Sequence, residues 1–76
     1  MTKEKNGQLG GKILEVIPTG LCFVEDASSG KVYPFTFDKI RGYRGETVRE
    51  LGLRSGLHIR FTIGETSLID SVELPA

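Results

Sequence analysis

Between residues 57 and 63, apolar and polar side chains alternate without a break. Leu57, Ile59, Phe61 and Ile63 fall on one side, and His58, Arg60 and Thr62 on the other. A period of two is the pattern of a strand with one buried face, and a helix cannot satisfy it. Similar β-rich runs recur at short intervals along the chain. Lys12–Ile17 ends at the turn signature Pro18-Thr19-Gly20, and Leu21–Glu25 follows. Ala27-Ser28-Ser29-Gly30 reads as a hairpin turn into Lys31–Phe37. Gly64–Ser67 turns the chain again before Leu68–Leu74. Five short strands in 76 residues leave room for one thin core between two layers. A chain of this size buries only roughly 60–65% of its unfolded surface.

Residues 41–56 are the exception to the strand pattern. Thr47 followed by Glu50 fits a capping box, with Val48 and Leu51 on one side of a single helical turn that Gly52 ends. A long connection between the third and fourth strands is where a five-stranded Greek-key barrel changes direction. The predicted fold is therefore all-β: a five-stranded antiparallel Greek-key barrel of the OB-fold type, with a one-turn helical loop between strands 3 and 4. The domain is expected over 11–74, after a polar, glycine-rich lead-in at 1–10 that is expected to be flexible and lacks the apolar stretch of a signal peptide. The expected core is Ile13, Cys22, Val24, Tyr33, Phe35, Ile40, Ile59, Phe61, Ile63, Ile69 and Val72. Pro34 cannot donate a ladder hydrogen bond, so it must lie with its nitrogen facing outward or at a bulge.

Several chemistries find no support in the residues. Cys22 and His58 are each the single residue of their type, which leaves no internal disulfide and no familiar metal-ligand spacing. A reducing, cytoplasmic location is the simplest expectation. Ser28 and Ser29 have no histidine or acid partner in the pattern of a nucleophile, and no glycine-rich phosphate loop is present. Neither an enzyme nor a cofactor is expected. No apolar run approaches the roughly 20 residues that a membrane-spanning helix needs.

The net charge is zero, but it is unevenly spread. All five arginines, Arg41, Arg44, Arg49, Arg54 and Arg60, lie between 41 and 60, and against Glu46 and Glu50 they leave that stretch at +3. Such a local cluster can attract phosphates on an otherwise neutral molecule. An arginine-rich solvated loop is the plainer alternative.

From Gly11 to Val72 the chain resembles the cold-shock domain family. Gly11-Lys12-Ile13 matches the family's opening strand. Thr19-Gly20-Leu21-Cys22-Phe23-Val24 matches the Lys-Gly-Phe-Gly-Phe-Ile motif, keeping Gly20 and the second aromatic as Phe23. Tyr33 to Ile40 matches Val-Phe-Val-His-Phe-Ser-x-Ile, keeping the last aromatic as Phe37 and the closing Ile40. The departures are specific: Glu15 takes the tryptophan position, Leu21 the first aromatic, Pro34 a stacking phenylalanine and Thr36 the histidine. The loop between strands 3 and 4 is also longer than in short bacterial members.

The resemblance implies a sequence-tolerant binder of single-stranded RNA or DNA that uses no cofactor. Phe23, Phe37 and Tyr43 would stack bases, with Leu21 and Pro34 packing beside them and Thr36 on the rim. Arg41, Arg44 and Arg60 would contact the backbone, since arginine both pairs with phosphate and stacks on bases. Two other readings stay open. Phe23 and Phe37 belong to an extended core if the 41–56 loop covers them. Alternatively, the Leu21–Phe23–Pro34–Phe37 patch buries against a partner protein or a second copy, making the domain a protein-interaction module that has lost nucleic-acid binding; Glu15 and the zero net charge favour that version.

Overall fold

The computed structural model describes residues 8–75, and strands are the main regular structure among them. The elements are β1 (Leu9–Ile17), β2 (Leu21–Asp26), β3 (Val32–Thr36), a 3-10 turn (Phe37–Lys39), α1 (Val48–Leu51), β4 (His58–Ile63) and β5 (Ile69–Glu73). All five expected strands form. The first begins at Leu9, inside the stretch read as lead-in, and residues 1–7 of that stretch lie outside the described residues.

The strands make one antiparallel sheet in the order β3-β2-β1-β4-β5, strongly curled into a half-barrel. Long β1 is the hinge of the curl. Its first half, Leu9–Lys12, pairs with β4, while Gly11–Ile17 pairs with β2. A bulge between Ile13 and Glu15 inserts Leu14 as an extra residue, and such an insertion bends a strand. Gly11 sits where β1 and β2 converge: a Cβ there would lie 2.3 Å from the Glu25 carbonyl oxygen and 3.1 Å from the Phe61 ring. The far edges of the sheet meet through a parallel bridge between Ile40 and Val72, where the Arg41 N–H donates to the Val72 carbonyl at 2.9 Å.

Pro34 fits its edge strand for the reason its chemistry requires. The Asp26 N–H donates to the Lys31 carbonyl, so Asp26, Val24 and Cys22 turn their polar backbone toward β3. Phe23 and its partner Pro34 then form a non-hydrogen-bonded pair, and the proline nitrogen faces the open edge of β3. A proline there also blunts the edge against pairing with another strand.

The core holds Ile13, Cys22, Val24, Phe35, Ile40, Ile59, Phe61, Ile69 and Val72, as the alternation predicts. Two expected members, Tyr33 and Ile63, are half-buried instead; Tyr33 packs on Phe61 with ring centroids 5.9 Å apart. Two further residues, Phe37 and Leu53, are buried. Leu53 arrives there through the end of α1. The capping box forms as read, with the Thr47 N–H donating to Glu50 Oε1 (2.9 Å) and the Glu50 N–H to Thr47 Oγ1 (3.2 Å). Gly52 then takes the left-handed conformation (φ 74°), and the Leu53 N–H reaches back to the Val48 carbonyl. This closure turns Leu53 inward as its hydrophobic plug.

Candidate nucleic-acid interface

Register fixes what lies on the outer face of the first three strands. Leu21 has Ile17 on one side and Thr36 on the other, and Phe23 has Glu15 and Pro34. The next row is Lys12, Glu25 and Val32, continued onto β4 by His58 beside Lys12. Leu21, Phe23, Pro34 and Thr36 therefore come together as expected. The same patch gains half-buried Ile17, Leu14 (38% exposed) and Val32 (50% exposed). The bulge at Leu14 shifts the parity of β1 so that Glu15 shares this face with Phe23.

Phe37 is not on that face. It is 5% exposed, in the core, which corrects its expected position on the platform. The cause is local: β3 ends at Thr36, and the 3-10 turn beginning at Phe37 breaks the two-residue alternation. The Phe37 N–H donates to the Gly20 carbonyl at 3.0 Å and the Ile40 N–H to the Phe37 carbonyl, fixing the ring inward. The Thr36 hydroxyl and the Asp38 carboxylate close the outside of the turn. Tyr43 packs on Phe37 edge to face, with centroids 6.1 Å apart at 76°. The 41–56 loop thus covers Phe37, while Phe23 keeps a half-buried outer position. Between the 18–20 turn and residues 43–49 of that loop lies a groove of about 480 Å³.

The three arginines do not gather on the platform. Arg41 pairs with Glu73 (Nη1 to Oε2, 3.5 Å), and Arg60 stands directly opposite Glu73 in the β4–β5 ladder. Gln8 also donates to Glu73, at 3.0 Å. Arg44 is exposed in the loop, where its backbone N–H donates to Glu46 Oε1 at 2.6 Å. Glu73 is the residue that sequence reasoning missed. Its meeting with Arg41 and Arg60 follows from strand pairing over long separations, which no local pattern announces. From Phe23, Arg60 is displaced by four residues along the strands and two strands across, roughly 13 Å and 10 Å. A phosphate at Arg60 therefore belongs to a different nucleotide from a base at Phe23.

A second groove of about 520 Å³ runs past Arg60. Gly10 and Ala27 leave its floor open, and His58, Glu73 and Pro75 line it. Among the described residues, no three His, Cys, Asp or Glu side chains gather as a metal site, and no helix is long and apolar enough to cross a membrane.

Three ionisable groups are perturbed. The Asp26 carboxylate is held below its usual range by the Ser28 N–H (3.0 Å), then by the Ser29 hydroxyl (2.9 Å), so the Ser-Ser turn exists to satisfy a carboxylate at the strand end. Glu46 is lowered chiefly by the Arg44 N–H. Burial raises the Cys22 thiol to about 11, leaving it neutral and inert as a core residue. Compared with protein-family models, curated proteins and solved structures, the chain matches none.

Proposed function

We propose that this chain is a cold-shock-like OB-fold domain that binds single-stranded RNA or DNA through the outer face of β1–β3. The fold part of the reading draws support from the strand order, the bridge that brings β3 and β5 together, and the helical turn between β3 and β4. The observation that carries the functional part is the ladder register. It sets Leu21 beside Thr36 and Phe23 beside Pro34, making a contiguous, largely apolar surface at the positions where the family's motifs stack bases. A contiguous outward apolar patch on so small a domain is the kind of surface that marks a binding site, which supports the reading. In this reading one base stacks on Phe23, contributing about 1–3 kcal/mol, with Leu21 and Pro34 extending the contact. Arg60 and Arg44 meet backbone phosphates further along the strand. With Phe37 inside and Glu15 beside Phe23, the affinity is weak and strongly salt-dependent.

Glu15 and the burial of Phe37 favour a second reading, in which the same patch packs on a partner protein. Titration of a ¹⁵N-labelled sample with a short mixed-sequence single strand at low salt separates the two. Salt-reversible amide shifts at Leu21, Phe23 and Thr36 are expected for the first. An absence of shifts at millimolar strand would overturn it in favour of the second.

A further inference from the structure

The groove between the 18–20 turn and the 43–49 loop combines features that a stacking platform alone lacks. One wall is aromatic and apolar, made by Phe37, Tyr43 and Val48. Glu46 and Arg49 line the same space. The groove lies next to the platform, because Gly20 and Phe37, which line it, are joined by a backbone hydrogen bond in the row beside Leu21–Thr36. Its size, about 480 Å³, lies within the range of small-molecule sites.

Glu46 gives the groove its chemistry. Its carboxylate is oriented by the Arg44 N–H on Oε1, a bond that favours the ionised form. An ionised carboxylate has about four acceptor sites, so the bonds from the Arg44 and Glu46 N–H groups leave others open. A flat ring lying against Tyr43 would be held best if its edge presented two adjacent N–H donors. Guanine does so with N1–H and the N2 amino group. Adenine and cytosine each place a ring acceptor beside their single amino group, and uracil flanks its one N–H with two carbonyls, so each would set lone pairs against the carboxylate. Recognition of unstacked bases through their Watson–Crick edge is the usual source of sequence preference in single strands.

We propose that this groove is a guanine-selective slot, with Glu46 reading the base edge, Tyr43 packing on the ring, and Arg49 meeting the adjoining phosphate. It deepens the single-strand reading above and rests on it. A domain otherwise tolerant of sequence thereby prefers strands that carry a guanine next to the segment stacked on Phe23.

The test compares labelled oligouridine octamers with the same octamers carrying one guanosine, by fluorescence anisotropy at low salt. The guanosine strand is expected to bind about tenfold tighter, in line with a bidentate base contact. Glu46→Gln, which keeps a carbonyl acceptor for the Arg44 N–H, should close that gap while leaving oligouridine binding within about twofold. Replacing guanosine by inosine, which lacks the N2 amino group, should close most of it in the unaltered protein. Equal binding of both strands, or a gap that survives inosine, would overturn the slot and leave the single-strand reading standing. Failure of both strands to bind at millimolar concentration would overturn both.

Discussion

Glu15 stands directly across from Phe23 in the β1–β2 ladder, with Pro34 on the far side of the ring. A base laid on Phe23 brings its phosphate near a carboxylate, and that repulsion opposes the stacking contact. Removing the charge with Glu15→Gln should raise affinity for a short single strand by about three- to tenfold at low salt, or roughly 1 kcal/mol, the repulsion of two unit charges about 4 Å apart in water. The gain should shrink toward nothing at high salt, where such interactions are screened. Anisotropy titrations at two ionic strengths measure it. An unchanged affinity at low salt would mean that no phosphate passes Glu15, which is what the protein-partner reading requires.

The origin of this pairing shows where the sequence was legible. Residues 57–63 alternate cleanly and formed β4 as read; Thr47 and Glu50 announced their capping box; Pro34 announced an outward-facing nitrogen. These are local signals, each decided within a few residues. The bulge at Leu14 carries no such signal, since Ile-Leu-Glu-Val-Ile reads as an unbroken β run. Phe37 misled for a related reason: alternation predicts a side only while the strand continues, and β3 stops one residue earlier. The contacts of Glu73 with Arg41 and Arg60 depend on pairing across the sheet. The core and the strands could thus be read locally, and the place of Glu15 from the family resemblance, whereas the pairing of Glu73 with the arginines could not.

Asp26 predicts a particular acid sensitivity. Its side chain is buried (5% exposed) and its carboxylate accepts from the Ser28 N–H, the Ser28 hydroxyl and the Ser29 hydroxyl. The folded-state pKa lies below the ordinary 3.8, so the stability it contributes is present above that value and is lost as pH falls through the folded one. Urea midpoints should therefore drop as pH falls from about 5 toward 2. In Asp26→Asn the midpoint should be lower at neutral pH and its acid dependence flatter. A variant with an unchanged acid limb would show that other carboxylates set it.

Cys22 predicts the opposite limb. Burial raises its pKa from 9.0 to about 11, so the folded state holds the proton that the unfolded chain releases. The linked stability is fully present below pH 9 and is lost as pH rises toward 11. Iodoacetamide at pH 8 should leave the folded protein unlabelled over hours and modify it promptly in denaturant, read by mass spectrometry. Rapid labelling without denaturant would show that β2 opens far more readily than its place at the centre of the core implies.

Gly10 and Gly11 are adjacent in β1, yet they should respond oppositely to alanine. At Gly11 a methyl group would meet the Glu25 carbonyl oxygen at 2.3 Å, and that atom belongs to a paired strand that cannot yield without opening the β1–β2 ladder. The Phe61 ring, 3.1 Å away, closes the other side. Gly11→Ala should therefore cost about 2–3 kcal/mol, the upper range for forcing extra volume into a packed site. At Gly10 nothing lies within 4 Å, and the position faces the groove beside Arg60. Gly10→Ala should leave stability unchanged or raise it by about 0.5 kcal/mol, because alanine restricts the unfolded chain. Urea denaturation of the two variants measures the difference directly. Equal midpoints would mean that β1 and β2 do not approach closely at Gly11, and the curl of the sheet would then need another cause.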